Sequence, residues 1–160
     1  MAIENIVVSV AGGPASVITA KYAIYLAKLL SAKLTALYVI NEKVLRDLLR
    51  SKIFVEIEAR VYERDLEEQG RLFLERLKKM AETKGVVYEG VLLRGTVHTE
   101  VVNKTAELRA DLLVMGELKE ILSRKEIFYD EGERIFREVN CPVVVVKNSA
   151  QVEQLYKELA

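Results

Sequence analysis

The chain has 160 residues, with 24 Lys+Arg against 24 Asp+Glu for a formal net charge of zero, and is 51% hydrophobic and 30% charged. That balance gives no global support to a nucleic-acid binder that neutralises phosphates or to a basic lipid-surface binder, and it lies far from the composition of disordered chains. One Cys, one His and no Trp exclude an internal disulfide and leave thin material for a zinc site or a nucleophile–base pair, so neither a metal nor an enzymatic activity is expected.

Residues 3–10 are β-branched and almost continuously apolar, as in a strand covered on both faces. Ala11-Gly12-Gly13-Pro14 reads as a turn, and Pro14 suits the first turn of a helix whose apolar positions recur from Val17 to Leu30. Residues 33–40 form the second strand. Residues 41–85 contain no Pro and are dense in charge, and Tyr62, Leu66, Phe73, Leu77 and Met80 make one helical stripe that Gly85 caps. Ahead of that stripe, residues 42–57 favour helix with a break near Ser51, although Ile53 to Ile57 has strand propensity too. Residues 86–93 are a third strand, carried on by Arg94 and Gly95. Thr96 then caps a helix reaching Arg109, with Val97, Val101, Val102, Thr105, Ala106 and Leu108 facing inward. Residues 111–115 are a short apolar strand stopped by Gly116. Residues 117–139 read as helical with an interruption around Tyr129 to Gly132. Residues 142–147 form the last strand, and residues 150–159 a closing helix.

This alternation predicts an α/β fold with a doubly wound parallel sheet and helices on both faces. Residues 1–148 are read as the domain, and residues 149–160 as a C-terminal helix packing on it or on a partner subunit. The most apolar windows are interrupted by Lys or are too short for the ~20 residues of a membrane span. Without secretory-signal features at the N-terminus, the protein is expected to be cytoplasmic. In such sheets ligands bind beyond the carboxyl ends of the strands, which directs attention to residues 11–16, 41–43, 94–97, 116–119 and the tail after Lys147.

Gly12 and Gly13 could bring backbone N–H groups to a phosphate, but they match no phosphate-loop pattern, and an ordinary tight turn is favoured. Arg94 and Gly95, before the Thr96 cap, could face an anion, or Arg94 could simply be solvated. His98 reads as a surface or capping residue, and Cys141 as a small buried thiol.

Several segments resemble the universal stress protein family. Ile6-Val7-Val8-Ser9-Val10 followed by Gly12 and Ser16 is similar to its first strand and Asp-Gly-Ser-x-x-Ser turn. Gly95-Thr96-Val97 through Ala110-Asp111-Leu112-Leu113-Val114-Met115-Gly116 is similar to its Gly-Asp-Pro helix and Ala-Asp-Leu-Ile-Val-Met-Gly strand. Cys141-Pro142-Val143-Val144-Val145-Val146 is similar to its terminal strand. The resemblance implies a five-stranded sheet of order 3-2-1-4-5, of the adenine nucleotide alpha hydrolase-like type, and commonly a homodimer through the exposed edge Val143–Val146. An apolar edge of that kind invites pairing that a symmetric partner resolves.

ATP-binding members use Gly-x-x-Gly, nine residues, then Gly-Ser/Thr after the fourth strand, together with a first-loop Asp. Here Gly116 holds the first place, Lys119 replaces the second Gly, Tyr129 precedes the next glycine, Gly132 is followed by Glu133, and Ala11 stands for the Asp. Residues 117–138 carry seven acidic against five basic side chains, and a carboxylate facing a triphosphate is repulsive. The favoured reading is therefore a homodimeric regulatory or protein-interaction module with no cofactor. The alternative is an ATP-binding sensor in which Lys119, Arg124 or Lys125 reach the phosphates. Its nucleotide site is placed at Gly12, Gly13, Val39, Arg94, Gly95, Met115, Gly116, Lys119 and Gly132. An enzyme on a related doubly wound sheet rests on analogy alone. The apolar surplus between Glu42 and Ile57 is read either as an added core layer or as a surface for another protein, a second subunit or the tail helix.

Overall fold

The computed structural model describes residues 2–52, 55–116 and 125–160. The order is β1 (Asn5–Val10), α1 (Gly13–Leu30), β2 (Lys33–Asn41), α2 (Glu42–Arg50), α3 (Glu56–Thr83), β3 (Tyr88–Gly95), α4 (Val97–Glu107), β4 (Leu112–Gly116), α5 (Lys125–Glu138), β5 (Val143–Val146) and α6 (Ser149–Glu158). The strands form one parallel sheet in the order β3-β2-β1-β4-β5, with Val8 opposite both Ala36 and Val114.

The nearly unbroken apolar runs bury both faces of this sheet. Ile6, Val8, Leu34, Ala36 and Val114 pack against Ala23 and Ile24 of α1, Leu77 of α3 and Val152 of α6. Val7, Leu37, Leu113 and Met115 pack on the other face with Val101 of α4 and Ile135 of α5. Each fully covered aliphatic side chain contributes about 1.5–3 kcal/mol, so the two layers are the main source of stability. Asp111 precedes β4 instead of beginning it. Its Oδ2 accepts the backbone N–H groups of Glu4 (2.9 Å) and Asn5 (3.0 Å), which seats the start of β1 beside β4 and holds this carboxyl below its ordinary range.

Four expectations change. Helix α3 turns Ala59, Gly70, Leu74, Leu77 and Ala81 to the core, while Tyr62, Leu66, Phe73 and Met80 are only partly buried, because the small residues let the helix approach the sheet more closely. Helix α5 runs through Gly132 without the expected interruption, since Ile135 is buried against the sheet and Glu133 pairs with Arg137 one turn on (2.5 Å). Such packing outweighs the ~1 kcal/mol that a glycine costs inside a helix. Thr96 sits at the cap of α4, but its side chain makes no capping bond. Ala106 is exposed. The break near Ser51 does separate α2 from α3, while Ile53 and Phe54 lie outside the described residues.

Helix α6 lies against α1, joined by a Lys21–Glu153 ion pair at 2.8 Å, while Lys84 Nζ donates to the Leu159 carbonyl (2.8 Å) and sits 4.8 Å from the Tyr156 ring centroid. Helix α2 instead lies against α3 and β3. Among the described residues no helix is long and apolar enough to cross a membrane.

Thr105, on the inner side of α4 and 4% exposed, has a hydroxyl with no hydrogen-bond partner among the described residues. Replacing it by Val removes a desolvated polar group while conserving shape, so Thr105→Val is expected to raise stability by about 1 kcal/mol in a urea titration.

Candidate functional site

The strand order reverses between β1 and β4, and this is where the carboxyl ends of a parallel sheet open a crevice. Gly12 and Gly13 flank it from β1 with φ of +86° and +84°, a left-handed backbone that side chains with a Cβ adopt poorly. A Cβ on Gly12 would lie 3.4 Å from the Tyr38 hydroxyl, whereas one on Gly13 would meet nothing within 4 Å. Among the described residues, the α1 N-terminus therefore begins in open space. No side chain caps it, and Ser16 Oγ instead accepts the Ala11 N–H at 2.9 Å. On the β4 side Gly116 lies close to Thr19, whose Oγ1 would be 3.1 Å from an added Cβ. Gly12, Gly13 and Gly116 are thus brought together.

The other expected residues separate from them. Arg94 and Gly95 end β3, two strands from β1, which is roughly 10 Å at ~4.8 Å per strand. Arg94 does not face an open anion site. Its guanidinium pairs with Glu63 and, at 2.7 Å, with Glu67 of α3, and these carboxylates hold its pKa above the ordinary value. Gly95, at φ +135°, is backed by the Glu100 side chain, 3.2 Å from the position of a Cβ. Met115 is buried in the layer under α4 and α5, and Val39 packs partly buried against that layer. Gly132 lies eight positions into the described part of α5, where its N–H is spanned by helix bonding instead of cradling a ligand. Lys119 and Arg124, and the Lys125 side chain, lie outside the described residues.

The carboxylate that matters most was not visible as such. Glu131 of α5 reaches the first turn of α4, where its Oε2 accepts the His98 backbone N–H (2.6 Å) and meets His98 Nδ1 at 2.8 Å. An ionised carboxylate only accepts, so the ring nitrogen facing it is the donor. Both side chains are largely covered, at 14% and 21% exposure. Glu131 thereby supplies the cap that Thr96 does not, and it places a negative charge on the positive end of the helix dipole. His98, expected as a surface or capping residue, is instead the capped one: its side chain is largely covered, and its partner Glu131 is 33 positions away. The only signal that could have found it is an acidic residue on the following helix of a parallel crossover.

Cys141 is a free, partly covered thiol whose pKa burial pushes up, which suits packing and not nucleophilic use. No group of three or more His, Cys, Asp or Glu side chains among the described residues is gathered to hold a metal ion. A cleft of about 370 Å³ lies elsewhere, between α3 and the outer strand β3, beside Arg71, Lys78 and Tyr88.

A sequence model of the universal stress protein family matches residues 2–147. The chain is 31% identical over 148 residues to universal stress protein MJ0531 of Methanocaldococcus jannaschii, covering 90% of this chain and 82% of that one. Its fold is similar to that of hypothetical protein MJ0577, with TM-score 0.72 and 21% identity over 92% of this chain and 98% of the other. It is also similar to the universal stress protein from Archaeoglobus fulgidus in complex with dAMP, with TM-score 0.64 and 15% identity over 92% and 100%.

Proposed function

The chain belongs to the universal stress protein family, and from that premise we propose that it is a regulatory, protein-interacting member, cytoplasmic and homodimeric, that works without catalysis and without ATP. The observation that carries this reading is the Glu131 carboxylate seated on the α4 N-terminus. A phosphate approaching that end would have to displace a bonded carboxylate of its own sign. The rest of the rim agrees. Arg94 is committed to Glu63 and Glu67, Glu100 stands behind Gly95, and Glu133 follows Gly132 inside a helix.

Homodimerisation is supported by β5, which pairs with β4 on one side only and leaves Val143–Val146 as a short apolar edge. A two-fold pairing of such edges satisfies their open N–H and C=O groups.

Calorimetric titration with Mg²⁺ and ATP is expected to show no saturation up to about 1 mM, an interaction weaker than about 4 kcal/mol. Saturable micromolar binding overturns the proposal. One observation favours a nucleotide sensor as the second reading: the α1 N-terminus at Gly13, open and uncapped among the described residues, on a fold similar to that of an A. fulgidus protein in complex with dAMP. The same titration decides between them.

A further inference from the structure

Strand β3 is one edge of the sheet, and it pairs with β2 in unbroken register from Leu34–Tyr88 to Asn41–Gly95. The Leu34 N–H donates to the Val87 carbonyl at 2.9 Å, so in this parallel ladder residues 89, 91, 93 and 95 turn their N–H and C=O groups toward β2. Tyr88, Gly90, Leu92 and Arg94 turn theirs away from the sheet, and among the described residues no strand pairs with that side. Proteins usually blunt such an edge with a bulge, a proline, a very short strand or charges laid over it. Here there is neither bulge nor Pro, and the strand has eight residues against four in β5. Its two charged side chains are drawn inward, Glu89 to Lys33 of β2 at 3.1 Å and Arg94 to Glu63 and Glu67 of α3.

The cleft of about 370 Å³ borders the same strand. Tyr88, Gly90 and Leu92 all face α3: the Tyr88 hydroxyl donates to the Leu74 carbonyl at 2.9 Å, a Cβ on Gly90 would lie 3.1 Å from Leu74 Cβ, and Leu92 lies under Gly70. The charges around the cleft cancel, Arg71 and Lys78 against Glu75 and Glu89, so it is not built for an anion. It offers instead an apolar floor beside backbone donors and acceptors that recur every second residue, about 6.8 Å. An extended polypeptide has the matching repeat. We propose that an extended segment of a partner protein docks antiparallel on the free edge of β3, with an aromatic side chain opposite Gly90 entering the cleft. This inference rests on the protein-interaction reading above and names the surface it uses.

Strand addition of this kind takes its affinity from main-chain bonds and its specificity from alternate side chains. Directly opposed residues of an antiparallel pair project on the same face, so the residue across from Gly90 points to the α3 side, where the cleft lies. An aromatic ring there covers the backbone that an edge glycine leaves bare, over Leu74 and between the Arg71 and Lys78 cations. A second copy of β3 fits poorly. Its one aromatic residue is Tyr88, and the register that sets Tyr88 against Gly90 also sets Glu89 against Glu89 of the second copy. Like charges directly opposed are unfavourable, which leaves a segment of another protein as the occupant.

Fluorescence polarisation of a labelled probe peptide, Thr-Val-Thr-Phe-Lys-Val-Thr, against the full chain tests this. With Phe opposite Gly90, the probe's Lys falls opposite Glu89. Saturable binding below about 1 mM is expected, and replacing Phe by Ala is expected to weaken it about tenfold. N-methylation of the Phe amide, which faces β3, is expected to cost at least about tenfold, whereas N-methylation of the Lys amide, which faces away, leaves binding within about twofold. Glu89→Lys, at an exposed position, is expected to weaken the probe about threefold, and exchanging the probe's Lys for Glu to restore it. Absence of binding, equal loss from the two methylations, or failure of the charge exchange overturns the proposal. Affinity that falls as the chain associates at higher concentration assigns the edge to a second copy and overturns it as well. A failed peptide titration leaves the ATP titration untouched, and ATP binding with peptide binding intact overturns the ATP-free reading alone.

Discussion

Gly70→Val is expected to lower the stability of the chain by about 3 kcal/mol, read as a shift in the urea midpoint at constant slope. A Cβ at this position would stand 2.8 Å from Leu92 Cδ1 and 3.0 Å from both Cδ1 and Cε1 of Tyr38, and valine adds two methyl groups beyond it. The Leu92 methyl can swing aside at small cost. The Tyr38 ring has less room, because Phe73 lies at 6.0 Å between centroids and its hydroxyl reaches toward Gly12. Pushing α3 outward instead would loosen Leu74 and Leu77, which are 7% and 1% exposed. Against these costs, valine recovers only part of the ~1 kcal/mol that glycine loses inside a helix. Gly70→Ala, with one carbon and the full propensity gain, is expected to lose much less. The effect also extends beyond the helix, since a displaced Tyr38 moves the support under the first loop. A midpoint unchanged by Gly70→Val would mean that α3 is free to ride on the sheet.

How far the chain is legible without its structure depends on the distance over which each cause acts. The sheet was readable because Ile6, Val7, Val8 and Val10, with residues 112–115, are buried on both faces by helices that the same sequence announces, and the order β3-β2-β1-β4-β5 accompanies the family resemblance. The break at Ser51 was readable from the change in stripe. Gly70 carries no local signal, because the reason for a glycine there is a tyrosine on β2 and a leucine on β3. Gly132 misleads for the opposite reason: its local signal is strong, and the tertiary burial of Ile135 outweighs it. At the rim, the glycines of the first loop announce their left-handed backbone locally, whereas the engagement of Arg94 with Glu63 and Glu67 depends on how α3 lies over β3. Thr96 looked sufficient as a cap until Glu131 was seen to do that work from across the chain.

Glu131→Ala is where stability and the proposed absence of ATP are expected to move together. The Glu131 carboxylate holds two partners on His98, its N–H at 2.6 Å and its ring at 2.8 Å, in surroundings that exclude much of the solvent. Loss of a helix cap costs about 1 kcal/mol, and a charge-assisted bond from a covered donor adds about as much again, so the variant is expected to be about 2 kcal/mol less stable. Glu131→Gln keeps an acceptor oxygen but no charge and should fall between the two. Glu131→Ala leaves the His98 N–H in the first turn of α4 without the Glu131 acceptor at the positive end of the helix, and it removes one negative charge from the carboxyl rim of the sheet. An anion then finds a donor set where the parent presents a carboxylate. Inorganic phosphate or Mg-ATP is therefore expected to raise the melting temperature of Glu131→Ala while leaving the parent unmoved, and to act less on Glu131→Gln, whose amide oxygen still occupies the His98 N–H. If the Ala variant is as stable as the parent, the His98 contacts are not a working cap. If it is destabilised but indifferent to phosphate, the occupied helix end does not keep anions out, and the proposed absence of ATP binding rests on Ala11 and the Gly132–Glu133 replacement instead.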